Sequence, residues 1–161
     1  MGDVKKFIDD ENKHERRLAR LMDWKFVESQ SKGSSFDYLS KDGSKIEVKF
    51  DWGSILSGNH YLETAQTNDN KETWVPSGFS LSSEDADFWV VINDEWVRVL
   101  RIDVLKSFLR ENRSSLEIKE TRQGVNFNHS NSFSRAFIIP FRILDDYCLM
   151  KFASPIQRNH S

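Results

Sequence analysis

One stretch of the chain reads Asp37-Tyr38-Leu39-Ser40-Lys41-Asp42-Gly43-Ser44-Lys45-Ile46-Glu47-Val48-Lys49-Phe50 and has the pattern of a β-hairpin. The Asp-Gly pair at its centre favours a tight turn between two antiparallel strands. From Lys45 to Phe50, charged and apolar residues alternate, so one face of the second strand is charged and the other is apolar. The sequence therefore predicts strands over 36–39 and 45–50, joined by this turn.

Further elements are predicted on both sides of the hairpin. Apolar residues at helical spacing indicate an amphipathic helix over 4–23, which also carries Glu15 on its apolar stripe. Asp103 is the expected N-cap of a second helix that ends near residue 111. Strands are predicted over 24–28, 60–66, 87–93, 95–100, 116–121 and 135–143, and a polar loop over 68–83. This order indicates a mixed α/β, or α+β, domain with a central mixed β-sheet flanked by helices.

Length and composition indicate the number of domains, the partners and the cellular location to expect. The chain has 161 residues, 38% hydrophobic and 30% charged, which predicts a single domain over 1–161 with a flexible tail over 153–161. Its net charge of −2 is not that of a typical basic nucleic-acid-binding protein. The longest apolar run, residues 88–92, is far shorter than the roughly 20 residues of a membrane helix, so no membrane partner is expected. A single cysteine, Cys148, suits a reducing cytoplasm.

Asp37 and Glu47 lie on opposite arms of the predicted hairpin, and Lys49 shares a strand face with Glu47. Metal-assisted hydrolysis of phosphodiester bonds uses such a combination. Mg²⁺ prefers hard oxygen ligands and keeps several waters, and the two carboxylates with the carbonyl oxygen of Val48 can supply these ligands. The metal lowers the pKa of a bound water, and Lys49 can orient that water or steady the developing charge.

The charged residues also have plainer explanations. An acid two residues before a lysine occurs six times in the chain, but only the pair at 47 and 49 has an acid on a preceding hairpin arm. Glu47 and Lys49 could instead form an ion pair on a solvated strand face. Glu15 either faces a metal from the helix or lies at a boundary position, where it extends into solvent or pairs with an arginine. Glu63 is either a further ligand or water-positioning group, or an exposed strand acid.

Six short motifs follow one another through the first half of the chain. They are His14-Glu15-Arg16-Arg17-Leu18, Ser34-Ser35-Phe36-Asp37-Tyr38, Ile46-Glu47-Val48-Lys49-Phe50, Ser57-Gly58-Asn59-His60-Tyr61-Leu62-Glu63, Ser77-Gly78-Phe79-Ser80 and Ala86-Asp87-Phe88-Trp89-Val90. This succession resembles the PD-(D/E)XK nuclease superfamily, and most closely its small resolvase-like phage and bacterial members. Phe36 stands where the family pattern has a proline before the first metal acid.

The resemblance implies a restriction-endonuclease-like fold and a Mg²⁺-dependent DNA endonuclease, with Mn²⁺ as a substitute, that acts on branched or structured DNA. The implied catalytic residues are Glu15, Asp37, Glu47, Lys49 and Glu63, and the implied metal ligands are Asp37, Glu47 and Val48. The expected DNA contacts are Arg16, Arg17, Lys32, Ser34, Ser35 and Asn59. A homodimer in the cytoplasm of a bacterial or phage-infected cell is expected, because cutting two strands calls for two sites.

Two other interpretations remain open. The same scaffold can be a catalytically silent domain that binds nucleic acid or protein, and the acid-lysine face can be the solvated surface of a structural protein. The sequence has neither the Gly-x-Ser-x-Gly elbow of a serine hydrolase nor a Walker-type phosphate loop. Incubation with DNA in the presence of Mg²⁺, Mn²⁺ or EDTA distinguishes the nuclease from the other two.

Overall fold

The computed structural model describes residues 13–26, 36–123 and 130–155. Its elements, in chain order, are α1 (13–21), β1 (Lys25–Phe26), β2 (Tyr38–Leu39), β3 (Lys45–Phe50), α2 (Ser54–Ser57), β4 (Asn59–Thr67), β5 (Val75–Pro76), α3 (Phe79–Asp85), β6 (Phe88–Ile92), β7 (Trp96–Arg101), α4 (Ile102–Asn112), β8 (Glu117–Arg122), β9 (Phe133–Pro140), α5 (Phe141–Leu144), a 3₁₀ turn (Asp145–Tyr147) and β10 (Met150–Ala153). Helices are interspersed among strands, which confirms the predicted mixed α+β class.

β2 and β3 form the predicted hairpin. The two strands are antiparallel, with Tyr38 opposite Ile46. The turn is closed by the backbone N–H of Ser40, which donates to the carbonyl oxygen of Ser44 at 2.9 Å. Gly43 has a φ of 82°, in the left-handed region that glycine adopts without steric cost. The turn thereby fixes the register that brings residues on the two arms face to face.

The hairpin belongs to sheet A, a six-stranded mixed sheet with the order β1-β2-β3-β6-β7-β10. β3 and β6 run parallel, and Glu47 is paired with Trp89 and Lys49 with Val91. Paired residues of neighbouring strands point to the same face of a sheet. The charged face of β3 therefore lies beside Trp89, and its apolar face lies on the opposite side.

A second sheet, sheet B, is antiparallel with the order β5-β4-β9-β8. The predicted central mixed sheet is sheet A, and sheet B is an additional antiparallel sheet. The last bond between β3 and β6 runs from the N–H of Asp51 to the carbonyl oxygen of Ile92. Helix α2 follows at once and ends at Gly58, whose φ of 68° turns the chain away from sheet A. β4 then pairs with β9 from Asn59 to Thr67, with a shift in register between Glu63 and Ala65.

Two clusters of buried side chains cover the two faces of sheet A. On one face, Leu18 of α1 packs against Ile46, Val48 and Val90. On the other face, Trp89 and its neighbours meet sheet B, α3 and α4, through buried side chains that include Leu62, Val91, Leu100, Leu105 and Ile139. Alternation along β3 and β6 sends consecutive residues to these two clusters. The apolar stripe predicted for the first helix is confirmed at Leu18, which is 1% exposed, while residues 4–12 of that prediction lie outside the described residues.

Several predicted boundaries differ from the observed ones. The predicted loop over 68–83 contains the start of α3, and the predicted strand over 135–143 ends at Pro140, where α5 begins. Pro140 is opposite Asn59, the first residue of β4, so β9 ends where its partner strand begins. Asp103 is not the N-cap of α4; that position is Arg101, and Asp103 lies in the first turn, where it accepts the N–H of Val104.

The carboxyl end of the described chain is held in sheet A. Ala153 is the last residue of β10, and Ser154 is buried and donates its N–H to the carbonyl oxygen of Glu95 at 2.9 Å. The predicted tail over 153–161 therefore begins too early by at least these two residues, and 156–161 lie outside the described part. Among the helices that the structure describes, none has the length and apolar character needed to cross a membrane.

Candidate active site

Asp37 and Glu47 meet across the β2–β3 hairpin. The N–H of Asp37 donates to the carbonyl oxygen of Ile46 at 2.8 Å, so Asp37 stands directly before β2. Its Oδ2 accepts the N–H of Val48 at 2.9 Å. This places the Asp37 carboxylate beside the side chain of Glu47, and a hydrogen bond between the two carboxyl groups favours the protonated form of Glu47.

Glu47 is the more buried of the two acids, with a side chain that is 9% exposed. Burial raises the pKa of Glu47 to about 7, and the neighbouring charge of Asp37 acts in the same direction. The ammonium group of Lys49 lowers the pKa of Glu47 and opposes both effects. The protonated form of Glu47 is therefore favoured more strongly than that of an exposed glutamate.

Lys49 lies on the same face of β3 as Glu47. Its Nζ is 2.5 Å from Oε1 of Glu47 and 5.5 Å from the ring centroid of Trp89. Partial burial acts to lower the pKa of Lys49, but the charges of Glu47, Asp37 and Glu63 outweigh it and raise this pKa above its ordinary value. Lys49 is thus a fixed positive charge among three carboxylates.

Glu63 joins this group from sheet B. A cavity of about 220 Å³ beside Lys49 is also lined by Glu63 and Gly78. Oε1 of Glu63 accepts the hydroxyl of Ser77 at 2.6 Å, which fixes the carboxylate. Gly78 has a φ of 51°, and a Cβ at this position would lie 2.7 Å from the carbonyl oxygen of Glu63. The close approach of α3 to β4 at Gly78 therefore sets the position of Glu63.

Glu15 has a different environment from the other predicted catalytic residues. It lies on α1 and forms a hydrogen bond with the hydroxyl of Tyr38, a side chain that is 1% exposed. Burial raises the pKa of Tyr38, and the charges of Glu15 and Asp37 act in the same direction. Tyr38 packs with Leu18 on the apolar face of β3. Glu15 is therefore anchored from the face opposite Glu47, and a catalytic role for it stays a prediction.

The predicted DNA contacts are only partly described. Arg16 and Arg17 are exposed on α1. Asn59 begins β4, and its side-chain amide donates to the carbonyl oxygen of Ser57 at 3.0 Å. The remaining three predicted contacts lie outside the described residues, namely Lys32, Ser34 and Ser35.

The donors at the hairpin fit a hard divalent cation. In the described part of the chain, no group of three or more His, Cys, Asp or Glu side chains is arranged to hold a metal ion. Mg²⁺, however, takes one or two carboxylates and completes its shell with water and phosphate oxygens. Asp37 and Glu47 would provide these two carboxylates if a cation bound at the hairpin. The backbone of Val48 faces the β2 side, as its N–H bond to Asp37 shows, so its carbonyl oxygen is directed to the same side.

A buried polar network behind the site was not foreseen from the sequence. Nε1 of Trp89 donates to Nε2 of His60 at 3.1 Å, and Nδ1 of His60 lies 2.7 Å from Oδ2 of Asp51. Because the indole N–H can only donate, Nε2 of His60 accepts, and the ring proton sits on Nδ1 and points to Asp51. The network fixes the ring of Trp89, over which Lys49 lies. His60 lies 9 residues from Asp51 and 29 from Trp89, and the three residues share no periodic pattern that could reveal them.

The hairpin, β4 and α3 together bring Asp37, Glu47, Lys49 and Glu63 to one region of the molecule. No family model, curated protein or solved structure matches the chain. The resemblance to PD-(D/E)XK nucleases therefore remains an expectation from the motifs.

Proposed function

We propose that this protein is a metal-dependent DNA endonuclease that hydrolyses phosphodiester bonds. One observation carries the proposal: the carboxyl groups of Asp37 and Glu47 adjoin each other across a rigid hairpin, with the ammonium group of Lys49 2.5 Å from Glu47. Two adjoining carboxylates repel each other unless a proton or a cation lies between them. A hydrogen-bonded strand pair holds such groups in place more firmly than a loop does.

Each residue has a distinct role in this proposal. Asp37, Glu47 and the carbonyl oxygen of Val48 would hold Mg²⁺ or Mn²⁺, which neutralises charge on the phosphate and lowers the pKa of a water. Lys49 donates hydrogen bonds from Nζ, so it can orient a water for attack and offset the negative charge that develops on the phosphate. Glu63 lines the cavity beside Lys49, and the hydroxyl of Ser77 fixes its carboxylate there. It would be a further metal ligand or a group that positions the water.

The proposal extends to the substrate and the assembly. The exposed Arg16 and Arg17 on α1 offer charge for DNA phosphates. We propose branched or structured DNA as the substrate and a homodimer as the active form, because cutting two strands calls for two sites. The cytoplasmic location predicted from the single cysteine is part of the same proposal.

A catalytically silent binding domain is the second candidate. The contact that favours it is the 2.5 Å ion pair between Glu47 and Lys49, in which both charges are already neutralised within the protein. In a silent domain this pair would stabilise β3 and nothing more. The two candidates differ in what the loss of Lys49 does to cleavage.

Cleavage assays test the proposal directly. Supercoiled, linear, single-stranded and four-way-junction DNA are incubated with Mg²⁺, Mn²⁺ or EDTA. We expect cleavage that requires metal and that Lys49→Ala reduces at least about hundredfold, with folding intact, because Lys49 acts in the transition state. Lys119→Ala is the matched control, since Lys119 also follows a strand glutamate by two residues but is exposed on β8. The Lys119→Ala variant should cleave DNA as the parent does. Absence of cleavage on every substrate favours the silent domain.

A further inference from the structure

A groove of about 590 Å³ runs between α4 and sheet B. Every charged residue among the described ones that line it is a cation: Lys106, Arg110, Arg113 and Arg135. The whole chain, by contrast, has a net charge of −2. The groove is therefore a local concentration of positive charge on an otherwise slightly acidic protein, and such a concentration attracts anions.

Helix α4 and its C-cap residue, Arg113, present three of the cations along one face. Lys106, Arg110 and Arg113 follow one another at helical spacings of four and three residues, which places them in one row. Their described contacts are with neutral oxygens: Nζ of Lys106 lies 3.4 Å from the carbonyl oxygen of Ser83, and Arg110 donates to the hydroxyl of Ser107 at 3.0 Å. These charges remain available to a ligand.

The fourth cation lies across the groove on β9. Arg135 is paired with Glu120 at 2.9 Å and lies over the ring of Trp74, 4.0 Å from its centroid. These contacts hold the guanidinium group in place at the far wall. A chain of phosphates passing along the groove would therefore meet the row on α4 on one side and a fixed Arg135 on the other.

The floor of the groove is apolar. It is formed by Phe79, Leu109, Ile118 and Phe137, and Ile118 is 55% exposed. Unpaired bases have flat apolar faces that pack on such side chains, whereas a duplex hides these faces inside its stack. An acidic peptide would use the cations but would leave the floor uncovered. Cations at the walls with an apolar floor match a single strand of nucleic acid best.

The groove adjoins the candidate active site. Glu63 and Gly78 line the cavity beside Lys49, and the residues that follow them, Thr64 and Phe79, line the groove. Consecutive residues of β4, and consecutive residues at the start of α3, therefore line the two spaces.

We propose that this groove binds a single-stranded segment of nucleic acid and guides it to the Asp37–Glu47 site. The role as a guide rests on the proposed nuclease function, while the binding itself does not. The substrate implied by both is DNA with an unpaired stretch next to the scissile bond, as occurs at branches and flaps.

Binding in EDTA separates the groove from the chemistry. Fluorescence anisotropy measures the affinity of a labelled 20-nucleotide oligo(dT) and of a blunt duplex of the same length. The double variant Lys106→Glu/Arg113→Glu should weaken oligo(dT) binding by about tenfold or more. It should also reduce the slope of log affinity against log salt concentration by the amount expected for the loss of about one to two phosphate contacts. The control Lys41→Glu/Arg142→Glu makes the same charge change at exposed sites outside the groove and should change the affinity by less than about threefold.

A substitution in the floor tests the base contacts. Ile118→Ser, at an exposed position, should weaken oligo(dT) binding but leave duplex binding unchanged. The proposal is overturned if oligo(dT) does not bind, if the groove and control doubles weaken binding equally, or if poly-glutamate binds the groove in place of oligo(dT). Binding that depends on the groove in a protein that never cleaves DNA would reject the nuclease and retain the groove. Cleavage by a protein whose oligo(dT) affinity is unchanged by the groove substitutions would retain the nuclease and reject the groove.

Discussion

Glu47 is a carboxyl group in surroundings that disfavour its negative charge. Its burial raises its pKa to about 7, and Asp37 adds to this effect while Lys49 opposes it. In the unfolded chain the group is hydrated, and its pKa returns to about 4.5. The folded protein therefore binds a proton at Glu47 more tightly than the unfolded chain does, and this difference links stability to pH.

We expect the metal-free protein to lose stability between pH 5 and pH 8. Because the pKa of Glu47 is higher in the folded state, its stabilising contribution is complete below about pH 4.5 and is lost as the pH rises through about 7. The contribution of Glu47 should lower the free energy of unfolding, measured with urea in EDTA, by about 2–3 kcal/mol over this pH range. Glu47→Gln should remove this part of the pH dependence.

Glu117→Gln is the matched control for the pH experiment. Glu117 is an exposed strand glutamate that, like Glu47, is followed two residues later by a lysine. Its substitution should preserve the pH dependence of the parent. A pH dependence that Glu47→Gln leaves unchanged would contradict the raised pKa of Glu47.

The two hairpin acids should also control metal affinity. Asp37→Asn and Glu47→Gln each keep the shape of the side chain but remove an anionic ligand, so each should weaken Mn²⁺ binding by about tenfold or more in titration calorimetry. Asp42→Asn, at the exposed hairpin turn, should bind Mn²⁺ as the parent does. Parental affinity in both site variants would place any bound ion elsewhere.

At the scale of elements, the position of Glu63 depends on how α3 begins. Gly78 precedes α3 with a φ of 51°, and a Cβ there would lie 2.7 Å from the carbonyl oxygen of Glu63. Any side chain at residue 78 must therefore either strain its own backbone or push α3 away from β4. Since Ser77 fixes the Glu63 carboxylate, such a shift would be felt in the site cavity.

Gly78→Ala should reduce both stability and cleavage. The strained backbone and the close contact predict a loss of about 1–3 kcal/mol in the free energy of unfolding. Gly53→Ala is the control, because Gly53 has a right-handed φ of −67° and nothing within 4 Å of an added Cβ, and it should be neutral or slightly stabilising. If both variants unfold like the parent, the approach of α3 to β4 does not constrain Glu63.

Elements that follow from local pattern were predictable from the sequence, whereas the pairing of strands that lie far apart in the chain was not. The β2–β3 hairpin follows from Asp-Gly and alternation, and with it the meeting of Asp37 and Glu47. The second sheet does not, because β4 pairs with β9, as in the contact of Tyr61 with Ser134, 73 residues apart. The serine-rich start of α3 concealed a helix, since Ser favours turns and caps as well.

At the scale of the whole molecule, sheet A separates the two buried clusters and links them. Consecutive residues of β6 belong to opposite clusters, as Trp89 and Val90 do. Neither cluster can therefore unfold without disrupting β6, which contributes side chains to both. The fold should therefore unfold in one cooperative step, with both clusters lost together. Fluorescence of the tryptophans and far-UV circular dichroism should report the same midpoint.

Truncation of either cluster should shift that single transition. Leu18→Ala on one face and Leu105→Ala on the other each remove a side chain that is at most 1% exposed, and each should cost about 2–5 kcal/mol. Leu21→Ala, at a position that is 62% exposed on the same helix as Leu18, should change stability by less than about 0.5 kcal/mol. Two separate transitions in either variant would show that the clusters unfold independently.

The parallel pairing of β3 with β6 has a consequence for the order in which the chain folds. Lys45 and Asp87, 42 residues apart, are joined at the start of this pairing by two bonds of 2.8 Å, one from each backbone N–H. The hairpin needs only its own turn and can form within about 1–10 μs, but β6 must close a long loop before Trp89 comes to lie beside Lys49. During synthesis, Asp37 and Glu47 can therefore come together while the chain is still incomplete. The site is complete only after β6 has paired with β3.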